Sequence, residues 1–285
     1  MRAALLIVLA FLLAPPVYAG PQAYSPEVAA DMSAEDQRRE AERHLALEPP
    51  DLVEARRWLE SAAEDGSVEA MAAAGWLYEQ GLGVESDATR ALEYYTQAYE
   101  AGENEYGLRI GWMHIQGLGM EPDRTEGEAW FRRVIEERDD SAARLALGTM
   151  LLADAAASLR PDRAIEARDL LDRVLQDGIT EAAHYLAQIH FEGIGNLPAD
   201  PRRAAYYTRI GAEAGNPEMQ GWLALLHARG DGIPMDLVEA HKWASLAASG
   251  GDTTGERLRR ELATHLDQAQ LLESRRRALQ WLNEQ

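Results

Sequence analysis

Apolar and small side chains recur along the chain in register with four Gly-x-Gly triplets: Gly81-Leu82-Gly83, Gly117-Leu118-Gly119, Gly193-Ile194-Gly195 and Gly230-Asp231-Gly232. Seven residues before the first glycine stand Ala74, Ile110, Leu186 and Leu223, and four before it Leu77, Met113, Ile189 and Leu226. Six before it lie the small residues Gly75, Gly111, Ala187 and Ala224, which let a neighbouring helix approach closely. The pattern predicts an amphipathic helix ahead of each triplet.

Each triplet leads to an aspartate six or seven residues on: Asp87, Asp123, Asp200 and Asp236. Four residues after the aspartate comes Ala91, Gly127, Ala204 or Ala240, and seven after it an aromatic, Tyr94, Trp130, Tyr207 or Trp243. A further copy begins at Asp51, with Ala55 and Trp58. Alanine and aromatic share one helical face, so the aspartate reads as the N-cap of a second helix. Glu54, Glu126 and Glu239 are placed as capping-box partners, and Pro201 suits a first helical position. Gly66, Gly102, Gly215 and Gly251, each 15 residues after the aspartate, read as closing glycines. Within a triplet the first glycine can take the left-handed conformation that ends a helix, and the second accommodates a tight path against neighbouring side chains. A phosphate loop would need a preceding buried strand and either a third glycine or Gly-Lys-Ser/Thr, none of which is present.

The triplets are 36, 76 and 37 residues apart, so the long gap hides a degenerate copy. Gly75, Tyr78, Gly81, Gly83, Val84, Asp87, Ala91, Tyr94, Tyr95, Ala98 and Gly102 follow the pattern of one family closely. The chain resembles the Sel-one-like repeat family, a branch of the tetratricopeptide-like helical solenoids, over about residues 51–252. The resemblance implies an all-α fold, a right-handed α/α superhelical solenoid of helix pairs. Units are expected over 34–67, 68–103, 104–139, 140–179, 180–216 and 217–252. The unit at 140–179 keeps Leu147-Gly148 and Pro161-Asp162 but has "ADAAASL" where the loop glycines belong, and "GIGNLPAD" carries one extra residue. Residues 20–33 are expected to be a mobile leader. Residues 253–285 read as the polar cap that covers a solenoid's last apolar face, with Leu262, Leu266, Leu271, Leu272, Ala278 and Leu282 available to face inward.

The amino end changes the setting. Arg2, an apolar run from Ala3 to Ala14, Pro15-Pro16 and the small-residue site ending at Ala19 have the parts of a cleaved signal peptide over residues 1–19. The apolar run is shorter than the roughly 20 residues a membrane span needs. With no cysteine there is no disulfide and no lipid-modified cysteine. The expectation is an exported, periplasmic or secreted protein with no membrane span after cleavage. Its net charge is −20, or −21 once Arg2 is lost, and Lys242 is its only lysine. That balance argues against a nucleic-acid partner, which needs clustered cations.

Candidate chemistry is sparse. Tyr78, His114, His190 and His227 share the position three before the triplet. Successive helix pairs lie roughly 10 Å apart, so histidines in register cannot meet a zinc ion at about 2 Å. They are expected to be packed and hydrogen-bonded instead, with no metal and no cofactor. A nucleophilic Cys, Gly-x-Ser-x-Gly, Ser-x-x-Lys and His-Glu-x-x-His are all missing. The position five before the triplet lies more than about 100° from the apolar stripe. It holds Trp76, Trp112, Gln188 and Leu225, and is expected to face an inner groove. Around it stand Glu79, Gln80, Ile115, Gln116, Phe191, Glu192 and Arg229, a tryptophan, polar and acidic surface suited to peptides. By resemblance, the expected function is a non-catalytic adaptor or scaffold for a protein or peptide partner in the cell envelope. The alternative is an envelope enzyme acting on peptidoglycan or a related glycan through paired carboxylates.

Overall fold

The structure, a computed structural model, describes residues 21–284. The signal-peptide expectation for residues 1–19 therefore lies outside the described residues. Among them are fifteen α-helices and no strand, and no helix is long and apolar enough to cross a membrane. The chain divides into two compact units at Asp139 and Asp140.

The first unit contains α1 (Pro26–Ala30), α2 (Ala34–Leu45), α3 (Leu52–Glu64), α4 (Val68–Gln80), α5 (Ala88–Glu100), α6 (Tyr106–Gln116) and α7 (Arg124–Arg138). Helices pair as α2/α3, α4/α5 and α6/α7, and each pair packs on the next. The second unit contains α8 (Ser141–Ser158), α9 (Pro161–Gln176), α10 (Ala182–Glu192), α11 (Pro201–Glu213), α12 (Pro217–Arg229), α13 (Leu237–Ser249), α14 (Thr253–Leu262) and α15 (Gln268–Asn283). Its pairs are α8/α9, α10/α11 and α12/α13, with α14 and α15 closing the end on α13.

Local chemistry sets these boundaries. The side chains of Asp51, Asp87, Asp123, Asp200 and Asp236 accept backbone N–H bonds in the first turns of α3, α5, α7, α11 and α13. Each turn is closed by one repeated bond: the amide of Asp87, Asp123, Asp200 or Asp236 donates to the carbonyl of Tyr78, His114, His190 or His227, at 2.7–2.9 Å. The return bond of a capping box is made at none of Asp51, Asp123 and Asp236, and two of the three acids have other partners. Glu54 accepts from the Tyr24 amide (2.7 Å), and Glu239 pairs with Arg277 (2.7 Å) and Lys242 (3.3 Å). A reciprocal box forms at Asp267 and Gln270.

Gly81 ends α4 at φ 67°, ψ 38°, the left-handed conformation the turn requires. Gly83 sits at φ 72° against the start of α3 in the preceding pair, where a Cβ would overlap the Leu52 carbonyl. The surface that this second glycine meets is backbone rather than side chain. The small positions work inside each pair: a Cβ on Gly75 would lie 2.9 Å from the Tyr95 ring, and one on Gly111 2.5 Å from Phe131. Those aromatics stand eight residues after the capping aspartate; where that residue is Thr208 or Ala244, the small position is alanine instead.

Three differences from expectation have physical causes. Residues 21–33 are bound to the first pair instead of forming a free leader. Trp58 Nε1 donates to the Gln22 carbonyl (2.9 Å), Gln37 donates to the Ala29 carbonyl (2.9 Å), and Tyr24 meets Trp58 edge-on at 5.1 Å. In the degenerate unit, α8 runs to Ser158 and turns through Leu159, a non-glycine at φ 53° that is 70% exposed. On α15, Leu271, Ser274, Ala278 and Trp281 form the inward stripe, so Leu272 and Leu282 lie off it and are exposed, while Leu262, Leu266 and Ala278 are buried as expected.

Two stability measurements follow. Urea unfolding is expected to show Gly83→Ala losing about 3 kcal/mol, from left-handed strain plus the backbone overlap, against about 1 kcal/mol for Gly66→Ala. Gly66 also has positive φ, but a Cβ there meets nothing within 4 Å. Leu159→Gly is expected to raise stability by about 1 kcal/mol by removing strain at an exposed residue.

Candidate functional site

Each pair turns its first helix's polar face away from the apolar core. In the first unit that face carries the two tryptophans. Trp112 is 37% exposed and leans edge-on against Phe131 at 5.2 Å. Trp76 is half-buried, packed against the cluster of Trp58, Leu59, Leu77 and neighbouring alanines. Gln80 and Gln116 are exposed one turn further on. Glu79 and Ile115 have structural employment: Glu79 accepts from the Tyr95 hydroxyl (2.8 Å) and pairs with Arg109, and Ile115 lies against Gly127.

In the second unit Glu192 and Arg229 are exposed and Gln188 is half-buried, within reach of Glu192 at 3.5 Å. Phe191 meets Trp222 edge-on at 6.0 Å, and His184 lies against the same indole at 5.0 Å. Glu79 with Arg109 and Phe191 with Trp222 occupy the same two places: two before one turn and eight before the next. These places join first helices of successive pairs, by an ion pair in one unit and by rings in the other. Sequence periodicity missed His184 and Trp222: no other repeat carries a ring at the place of His184, and at that of Trp222 the repeats hold Ala73, Arg109 and Tyr185, which share no chemistry. It also missed the parallel stack of Tyr95 on Tyr106, 4.9 Å apart, whose burial pushes both phenols upward from their ordinary pKa.

The shared position of Tyr78, His114, His190 and His227 is a packing position. His190 is buried and stacks on Tyr207 at 5.5 Å, as Tyr78 stacks on Tyr94 at 5.8 Å. Hydrogen bonding is incomplete, contrary to expectation: His190 Nε2 and His227 Nδ1 are buried with no partner. Among the described residues no group of three or more His, Asp or Glu is placed to hold a metal ion. His241 is engaged, with Nδ1 2.8 Å from the Ser274 hydroxyl, and this contact ties α15 to α13.

Stacked antiparallel helix pairs with glycine turns and a capped second helix define a tetratricopeptide-like α-solenoid. Sel1 repeats match residues 44–67, 68–103, 107–137, 180–216 and 217–252, and the chain belongs to the Sel1 repeat family. Residues 138–179 fall outside these matches, yet α8 and α9 form a pair there. A Sel1 repeat protein from Oxalobacter formigenes shares 23% identity at a TM-score of 0.57, over 86% of this chain and 96% of that one. A protective antigen of uropathogenic Escherichia coli with the SLR fold shares 18% identity at a TM-score of 0.47, over 90% of this chain and 62% of that one. No curated protein matches the chain. Sel1 repeats generally serve as scaffolds for protein–protein interaction.

Burial holds the pKa of His190, His227 and His241 down, with Arg203 adding to it at His190 and Arg259 and Arg275 at His241. A histidine with a depressed folded pKa contributes stability above its unfolded value of about 6.5 and loses it as pH falls toward the folded one. NMR titration is expected to place these three midpoints below about 6.5, with the unfolding free energy falling between roughly pH 7 and 5.

Proposed function

We propose that this chain is an exported, non-catalytic scaffold that holds a protein or peptide partner of the cell envelope on the polar faces of its first helices. The observation that carries this reading is Trp112, a large ring left 37% exposed on a face that also carries Gln116 and, one repeat earlier, Trp76 and Gln80. A tryptophan braced by Phe131 is held in place before binding, and so loses little conformational freedom when a partner covers it. The exposed glutamines supply donors and acceptors for a peptide backbone. In the second unit, Gln188, Phe191, Glu192 and Arg229 offer a similar mixture around the Phe191–Trp222 contact. The apolar amino-terminal run with its small-residue site supports export.

The test is capture from an envelope fraction, with wild type and the double variant Trp76→Ala/Trp112→Ala immobilised side by side. A single partner band on wild type, lost or at least about 10-fold weaker on the variant with helical circular dichroism retained, is the expected result. Equal capture by both proteins would remove these tryptophans from the binding surface. Cell fractionation with a carboxy-terminal tag tests export: tag in the periplasm or medium supports it, and tag confined to the cytoplasm contradicts it.

A further inference from the structure

The second unit contains an open cavity of about 730 Å³ against the loop between α10 and α11, lined among others by Arg168, His190, Leu197, Asp200, Arg202 and Arg203. Three arginines and Asp200 line it, and Asp172 stands behind its His190 wall, accepting from the Tyr207 hydroxyl (2.8 Å). The Asp200 carboxylate is already engaged, accepting the amides of Arg202 and Arg203 at 3.1 Å as the cap of α11. Arg168 pairs with its exposed neighbour Asp169 (2.8 Å), and Arg203 Nε lies 3.7 Å from Asp200. The Arg202 guanidinium has no partner among the described residues.

An equivalent place in the first unit shows what this one lacks. Tyr78 stands three residues before its turn, as His190 does, and both rings stack on the tyrosine seven after the capping aspartate. The Tyr78 ring is long enough for its hydroxyl to accept from Arg90 Nη1 (2.6 Å) while donating to Glu60. Arg90 is the third residue after Asp87, and Arg203 is the third after Asp200. Imidazole has no hydroxyl to offer, so the oxygen that Arg90 finds has no counterpart for Arg203. His190 Nε2 is itself buried and unpartnered. Here the arginine is present without that acceptor, and it lines the cavity together with His190.

We propose that this cavity receives a carboxylate side chain of a partner polypeptide, an aspartate or glutamate whose oxygens take the acceptor place that a tyrosine hydroxyl fills in the α4/α5 pair. Guanidinium groups match a carboxylate in both charge and planar geometry. The apolar lining of Leu197, Pro198 and Ile189 suits the methylenes that carry it. Asp200 at the wall opposes a second negative charge, which favours a carboxylate over a phosphate dianion. The site is separate from the tryptophan-bearing faces, and it stands or falls without them.

Fluorescence anisotropy of a fluorescein-labelled hexaglutamate peptide on the full chain at low salt tests it, with hexaglutamine as control. Hexaglutamate is expected to bind and hexaglutamine not to. Two variants, His190→Tyr, which restores the ring that Tyr78 already shows to fit, and Arg202→Ala/Arg203→Ala, are each expected to weaken binding about 10-fold or more with unchanged helical melting. Trp76→Ala/Trp112→Ala is expected to bind hexaglutamate as wild type does. The proposal is overturned by absence of hexaglutamate binding, by both cavity variants binding like wild type, or by inorganic phosphate displacing the peptide as well as free glutamate does.

Discussion

The stack depends on one close approach, made wherever a turn's second glycine meets the first turn of a preceding second helix. Gly83 lies on the Leu52 carbonyl, Gly119 on the peptide between Ala88 and Thr89, and Gly232 on the Pro201 carbonyl. No side chain fits these points, and the positive φ at each excludes most other residues in any case. Polar bonds reinforce two of the contacts: Thr89 Oγ1 donates to the Gly119 carbonyl (2.8 Å) and Arg56 Nε to the Gly83 carbonyl (3.4 Å). Within each unit the pairs joined in this way rest on their neighbours, and the energetics there become those of nearest-neighbour interfaces.

The repeats supply a frame, and substitutions at equivalent places give each its character. The position three before the turn is Tyr78 in a hydrogen-bonded network of Arg90 and Glu60, and becomes an unpartnered His190 beside a cavity. The contact between first helices is an ion pair at Glu79 and Arg109, and a ring pair at Phe191 and Trp222. In the α8/α9 pair even the turn glycine is replaced, and Leu159 adopts the left-handed conformation in its stead. That pair still closes with Gly178 at φ 87°, so the ending of the second helix persists after the turn has diverged. A scaffold of this kind can vary its recognition surface while keeping its packing, because the groups that set the packing are backbone and small residues.

What was legible in the sequence is what repeats. Capping aspartates, helix-ending glycines and the apolar triad before each turn act within one or two turns of helix, so their spacing alone placed them. Contacts made once along the chain leave no such trace. Gln22 and Tyr24 reach Trp58, Glu40 and Glu54 across 18 to 36 residues, and nothing periodic announces it. Glu54, Glu126 and Glu239 have the right offset for capping boxes and close none; Glu54 and Glu239 instead bond to Tyr24 and Arg277 from elsewhere in the chain. The phase of α15 was ambiguous because leucines lie on two faces of it, and the buried Ser274–His241 bond selects one. On the tryptophan face Trp112 is exposed, whereas Trp76, at the same angle from the apolar stripe, is half-buried on a cluster that includes residues from the amino-terminal segment.

Amide hydrogen exchange followed by mass spectrometry on Gly119→Val tests the central dependence most directly. If the second glycine's contact with the preceding helix holds neighbouring pairs together, exchange quickens in the first turn of α5 and in α6, while α2 and α3 keep their wild-type protection. Unchanged exchange at α5 and α6, or a uniform increase from α2 to α7, would contradict that dependence.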